Sequence, residues 1–297
     1  MDPRAERTII AVVGATGRQG GGLARAVLAD PGGGFAVRAL TRDPASEGAR
    51  ELAAAGAEVV AADLNDPASV RAAFTGAYGA FCCTFYWDDF SPDTELRHAR
   101  AMAEAAAAAG LRHVVFSTLE DTRQFSPLDD QRIPTLRGRY KVPFYDGKAD
   151  AEVAFREAGV PTTFLRTALF WENLIAFGFG PQRGADGTLT LTYALGHARM
   201  PGIAAQDIGK VAYTAFRRTD EFAGQTISTA GEHLTGYQMA SQLTRALGEE
   251  VRYNPVPPDT FRTFPIPAAD EIANMFCYYE DFEAEVCGAR DLGRTAS

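Results

Sequence analysis

A glycine triplet near the start of the chain carries the sharpest chemical signal. Ile10-Ala11-Val12-Val13 reads as a strand and runs into Gly14-Ala15-Thr16-Gly17-Arg18-Gln19-Gly20, a Gly-x-x-Gly-x-x-Gly loop that opens a helix. In a dinucleotide loop each glycine has its own task. Gly14 permits the tight turn, Gly17 lets the backbone approach a pyrophosphate, and Gly20 lets helix and strand pack closely. The helix N-terminus offers unbonded N–H groups and a positive dipole end to phosphates, which brings Thr16, Arg18 and Gln19 into the candidate site. A glycine triplet alone is a weak signal, and a merely tight turn is the plain alternative. The strand before and the helix after it favour dinucleotide binding.

The end of the next strand refines the cofactor. Readers of NAD place Asp or Glu there for the ribose hydroxyls, whereas readers of NADP use Arg. Here the segment is Thr41-Arg42-Asp43-Pro44, with Arg42 22 residues after Gly20. A guanidinium at Arg42 can fork onto a 2′-phosphate, and Arg18 could reach the same group, so NADP(H) is the expected cofactor. Asp43, one position later, weakens this reading, and a solvated surface arginine is the alternative. Asp63, in Ala62-Asp63-Leu64, ends the third strand where an adenine amine would lie. A strand-ending turn aspartate accounts for it nearly as well.

The elements that must position these residues alternate. Strands are expected at Thr8–Val13, Ala36–Thr41, Glu58–Ala62, Gly79–Thr84, His113–Ser117 and Thr162–Arg166. Helices are expected at Gly17–Ala29, near Ser46–Ala55, at about Pro92–Ala109 with Ser91 as N-cap, and at about Gly147–Ala158 with Asp146 as N-cap. Alternation of this kind implies βαβ units and a parallel sheet. After Arg166 the rhythm changes to a glycine-rich loop and a hairpin around Thr188–Tyr193. Then come a helix near Asp207–Arg217, a strand near Gln225–Ser228, a helix near Thr235–Leu247, a proline-rich stretch and a final helix near Ala268–Glu280. The expected fold class is α/β: a Rossmann doubly wound parallel sheet of five or six strands with a smaller, discontinuous α+β second domain. The expected division is 1–166, with a return segment at about 203–230, as the NADP-binding domain. Residues 167–202 plus 231–297 then form a smaller C-terminal domain that completes the cleft.

Composition excludes several classes. Among 297 residues, 46% are hydrophobic and 23% charged, enough for a sizeable core. The net charge of −9 argues against broad nucleic-acid binding. No apolar run is long enough for a membrane span, and Met1-Asp2-Pro3-Arg4-Ala5-Glu6-Arg7 lacks the apolar core of a signal peptide. Cys82, Cys83, Cys277 and Cys287 form no CxxC pair or disulfide framework. A reduced, cytoplasmic protein is expected. His98, His113, His197 and His233 show no metal-ligand spacing.

With the glycine loop and Thr41-Arg42-Asp43-Pro44 in place, the chain resembles the NmrA-like family, an atypical branch of the short-chain dehydrogenase/reductase superfamily. Gly56-Ala57-Glu58-Val59-Val60, Tyr145-Asp146-Gly147-Lys148, Gly159-Val160-Pro161-Thr162-Thr163, Phe170-Trp171-Glu172-Asn173-Leu174 and Asn274-Met275-Phe276 look like further family segments. The likeness runs from about residue 8 to about residue 280. It implies two domains with NADP held between them. It also implies either a redox-sensing regulator that binds a partner protein or, as in related quinone and enol-ether reductases, hydride transfer.

Reductases of the wider superfamily need Tyr-x-x-x-Lys, two side chains on one helical face, so that the ammonium can lower the tyrosine pKa. Here Lys148 is present, but Phe144 stands at the tyrosine position. Tyr145 is one residue off, and Pro143 with a cap at Asp146 would put it before the helix. Lys148 can still donate to ribose hydroxyls; a surface lysine in a helix's first turn is the alternative. Ser117 occupies the place of a carbonyl-orienting serine or is a plain strand-terminal serine. Thr84, Phe85, Tyr86 and Trp87 follow the fourth strand, where nicotinamide usually sits, and could wall a ring pocket or belong to the core. Asn173 could bind the cofactor's amide region or cap a turn.

Cys82 and Cys83 read as small buried hydrophobes, with a thiol switch as the minority reading. Ile272, Met275, Phe276 and Tyr279 form a helical stripe that reads as core, with a partner-docking face as the alternative, since acidic, mobile residues such as Asp281, Glu283 and Glu285 follow. The expected function is an NADP(H)-binding regulator, a redox sensor without efficient turnover, with a possible protein partner or homodimer. The alternative is an NADPH-dependent reductase of a quinone, activated carbonyl or enone. Catalytic candidates are Lys148, Tyr145 and Ser117.

Overall fold

The computed structural model describes residues 8–175 and 178–295; the charged segment Met1–Arg7 and the ends of the expected domain ranges lie outside it. In chain order the elements are β1 (Thr8–Val12), α1 (Arg18–Leu28), β2 (Phe35–Thr41), α2 (Glu47–Ala54), β3 (Glu58–Ala61), α3 (Pro67–Phe74), β4 (Gly79–Cys82), α4 (Pro92–Ala108), β5 (His113–Thr118), α5 (Pro143–Ala158), β6 (Thr162–Arg166), β7 (Leu169–Phe170), β8 (Gln182–Arg183), β9 (Leu189–Tyr193) and β10 (Arg199–Ile203). There follow α6 (Ala205–Arg217), α7 (Thr219–Phe222), β11 (Thr226–Ser228), β12 (Glu232–Thr235), α8 (Gly236–Leu247), β13 (Val251–Pro255), α9 (Pro258–Arg262), α10 (Ala269–Asp281), α11 (Glu283–Gly288) and α12 (Leu292–Thr295).

The chain forms two compact units. One takes the chain up to Leu119, Gly147–Arg166 and Ala205–Ile227. It holds the sheet β11-β6-β5-β4-β1-β2-β3, in which β1–β2, β2–β3, β1–β4, β4–β5 and β5–β6 all pair in parallel. This is the doubly wound α/β fold, with seven strands rather than five or six because the short β11 extends the edge beyond β6. The strand order reverses between β1 and β4, the switch point where such sheets bind ligands at their carboxyl ends. β4 and β5 are buried throughout, as expected for strands covered on both faces. Helices α1 and α6 pack closely because glycines face each other: a Cβ on Gly209 would lie 2.2 Å from the Gly22 carbonyl carbon. Ser46 caps α2 and Ser91 caps α4, each accepting a backbone N–H three residues on.

The other unit takes Glu120–Asp146, Thr167–Ala204 and the chain from Ser228. It carries two small sheets, β12-β10-β7 and β13-β9-β8. The hairpin is β8–β9, antiparallel, and starts earlier than expected, at Gln182. Several elements escape a reading by apolar period, β7, β10 and β12 among them, and two regions show why. The first is α3, whose N-cap is Asp66 and whose first residue is Pro67. The second is the proline-rich stretch, which holds β13 and α9.

Helix α5 begins at Pro143, one turn before the expected Gly147. Asp146 is not its N-cap. Its carboxylate lies inside the first turn and accepts from the backbone N–H of Lys141 at 2.7 Å and of Val142 at 3.2 Å, and from Thr122 Oγ1 at 2.6 Å. Burial pushes its pKa up, against these hydrogen bonds. Ile272, Met275, Phe276 and Tyr279 are all buried, so the α10 stripe is core and not a docking face. Of the acidic residues expected to follow it, Asp281 closes α10, and Glu283 opens α11 and pairs with Arg199 at 2.6 Å. No helix among the described residues is long and apolar enough to cross a membrane.

Candidate functional site

The glycine loop leaves β1 at the switch point. Gly14 has φ +65°, a conformation L side chains rarely adopt, and accepts the Gly17 N–H at 2.8 Å. Gly17 is extended and stands at the N-cap of α1 with no side-chain cap. A Cβ added to Gly17 would meet only Gly14 O, at 3.1 Å, among the described residues; one added to Gly20 would lie 2.5 Å from Gly14 O and 2.7 Å from Val13 O. The two glycines therefore serve different ends. Gly20 lets α1 press onto β1, whereas Gly17, at the uncapped N-terminus of α1, is crowded by a single backbone oxygen. The loop fits a dinucleotide on this ground.

Around the loop the expected residues have partners of their own. Phe85 lays its ring against Gly14, 2.8 Å from where a Cβ would stand. Arg42, its side chain 71% exposed, pairs with Asp88 at 3.3 Å. Asp43 is turned into its own loop, where Oδ1 accepts the Ala45 N–H. Asp63 Oδ1 accepts from the backbone and side-chain nitrogens of Asn65 at 2.9 and 3.1 Å, a strand-ending turn, with Leu64 half-buried beside it. Thr16 is exposed. Ser117 Oγ donates to Gln19 Oε1 at 2.7 Å.

Lys148 is not a surface lysine. Its Nζ donates to Glu95 Oε1 at 2.6 Å, to Thr84 Oγ1 at 2.9 Å and to Thr84 O at 3.3 Å, which uses all three ammonium protons. Thr84 Oγ1 itself donates to Glu95 Oε1 at 2.6 Å. Glu95 and Asp88 escaped the sequence reading. For Glu95 a signal existed: it stands among Pro92, His98, Ala99 and Met102 on the buried phase of α4, where a carboxylate is out of place.

Phe144 and Tyr145 lie in the first turn of α5, both buried. The Tyr145 hydroxyl bonds that of Tyr279, and burial pushes its pKa well up, so it is a weak proton donor near neutral pH. The same unit holds the buried pair Arg290–Glu120 at 2.6 Å. Asn173 lies in the 3₁₀ turn Trp171–Leu174 of that unit. Cys82 and Cys83 are buried, and burial pushes the Cys83 thiol up to about 12; the pair is inert packing rather than a thiol switch.

The NmrA-like family profile matches residues 6–290. An NmrA-like family domain-containing oxidoreductase of Cladobotryum sp, FrzB, is 30% identical over 317 aligned residues, covering 97% of this chain and 91% of its own. Among solved structures, NmrA, a negative transcriptional regulator, in complex with NADP, aligns with a TM-score of 0.75 at 24% identity, over 94% of this chain and 83% of its own. The Citrobacter sp. triphenylmethane reductase complexed with NADP(H) aligns at 0.73 and 19% identity, over 97% of this chain and 99% of its own. The likeness to these two structures is one of fold.

Proposed function

The chain belongs to the NmrA-like family, and from that premise we propose that it binds NADP(H) and reports redox state to a partner without efficient turnover. The observation that carries the binding half is the contrast between Gly17 and Gly20: a Cβ at Gly17 would meet one backbone atom, Gly14 O at 3.1 Å, whereas one at Gly20 would clash with three at 2.5–2.8 Å. Thr16, Gly17, Arg18, Gln19 and the α1 N-terminus would hold the pyrophosphate, with Gly14 and Gly20 shaping the loop. Arg42, released from Asp88, would take the 2′-phosphate. Asp63 and Leu64 would flank the adenine, and Thr84 and Phe85 the nicotinamide side. The unit with the seven-stranded sheet is the cofactor-binding domain in this reading.

When bound, NADPH supplies a hydride. The chain's own residues give a carbonyl acceptor little help with the matching proton. Phe144 has none, Tyr145 is tied to Tyr279, and Lys148 is saturated by Glu95 and Thr84. Ser117 is engaged by Gln19. This favours the regulator, with a protein partner or a second copy of the chain as the receiver and the reducing cytoplasm as its place. The second reading, an NADPH-dependent reductase of a quinone, activated carbonyl or enone, is supported by the name oxidoreductase carried by a relative 30% identical over nearly the whole chain. Calorimetric titration with NADPH and NADH tests the binding half, with Gly17→Val as control. The valine occupies pyrophosphate space and should abolish binding with the circular dichroism spectrum unchanged. Unaltered binding in that variant would make the loop structural only.

A further inference from the structure

Glu95 is a buried charge that packing does not explain. The residue is 2% exposed, and its neighbours on the inner face of α4, Pro92, Ala99 and Met102, are apolar. Oε1 is shared by Thr84 and Lys148, while Oε2 is buried with no hydrogen-bond partner. A carboxylate left half-bonded in the interior is costly, so its charge needs a use. That charge cancels the ammonium of Lys148, and the pair is neutral as a whole. The cluster sits beside the glycine loop: Thr84 follows β4, the loop follows the adjacent β1, and Cys83 Sγ donates to Val13 O at 3.6 Å.

We infer that Glu95 is a positioning residue that sets the redox-state preference of the bound cofactor by neutralising Lys148. The inference rests on the dinucleotide reading above. The oxidised nicotinamide ring carries one positive charge and the reduced ring none, because reduction adds a hydride. A bare ammonium near the ring therefore penalises the oxidised form alone, and a neutral pair penalises neither. Carboxylate and ammonium together remove that penalty, so the site accepts NADP+ as readily as NADPH.

Glu95→Gln keeps the shape and an acceptor for Thr84 but removes the charge. Titrated with both forms at neutral pH, this variant should bind NADP+ about 3–30-fold more weakly, with NADPH changed less than about twofold. A tenfold change in that ratio raises the midpoint potential of the bound couple by about 30 mV. The double variant Glu95→Gln/Lys148→Met is neutral again and should return the ratio to within about twofold of the unsubstituted protein. The unsubstituted protein itself should bind NADP+ no more than about threefold more weakly than NADPH. Equal losses for both forms in Glu95→Gln, or a ratio the double variant does not restore, would overturn the assignment and leave the dinucleotide reading standing. Binding of neither form by the unsubstituted protein would overturn both.

Discussion

The glycine loop and the Thr84–Glu95–Lys148 cluster lie at the same edge of one sheet, after neighbouring strands, and use their polar groups in opposite ways. At Gly17 a side chain would meet only one backbone atom, Gly14 O, and α1 starts without a side-chain cap. At Lys148 every ammonium proton already has a protein acceptor. In the proposed reading the first region receives a ligand's oxygens, whereas the second is closed on itself. A dinucleotide fold can thus keep its phosphate half while the half that elsewhere moves a proton becomes a neutral, buried clamp.

The largest effect expected is at Gly20. Valine there would drive a Cβ into the carbonyls of Gly14 and Val13, forcing α1 off β1, and should cost on the order of 5 kcal/mol in denaturant unfolding. A stable Gly20→Val protein would erase the distinction drawn between the two glycines. Next is Glu95→Ala, which strands the Lys148 ammonium and the Thr84 hydroxyl and leaves a hole; breaking a buried pair in this way costs about 3–5 kcal/mol. A loss under about 1 kcal/mol, the range of exposed pairs, would mean the clamp is open to water.

Arg42 sharpens the receiving side. Its ion pair with Asp88 is exposed on both partners, 71% and 57%, so it holds the guanidinium weakly and can be exchanged. Arg42→Ala should weaken NADPH binding by about 1.5–3 kcal/mol, as for a hydrogen bond to a charged group, and leave NADH nearly unchanged. Equal losses for both cofactors, read by calorimetry, would remove Arg42 from the 2′-phosphate. The smallest effect tests the closed side. Phe144→Tyr puts a phenol four residues before Lys148 on the continuous helix α5. General acid assistance is typically worth about 10²–10⁴-fold, but with Lys148 held by Glu95 the gain on a carbonyl panel should stay below about tenfold.

Much of the sheet was legible because buried parallel strands read as continuous β-branched and aromatic runs, and because Gly14, Gly17 and Gly20 stand between a strand and a helix. Helix α3 was not, since its eight residues carry little period and its start signals are only Asp66 and Pro67. The start of α5 was misplaced because Asp146 has the side chain of an N-cap; only the fold reveals that it serves Thr122, Lys141 and Val142 from within the turn. In the site, local spacing pointed to Lys148, but its partner Glu95 lies 53 positions away. No local pattern links the two. Asp88 was hidden for the same reason, 46 positions from Arg42.

The most direct test of the account is the fate of NADPH on the protein. Protein in excess of its measured NADPH dissociation constant is mixed with NADPH and a panel of quinones, aldehydes and enones, and NADPH absorbance is followed beside protein-free controls. The account predicts that NADPH is bound yet decays no faster than in the controls. Steady decay that scales with protein concentration, for any member of the panel, would contradict it.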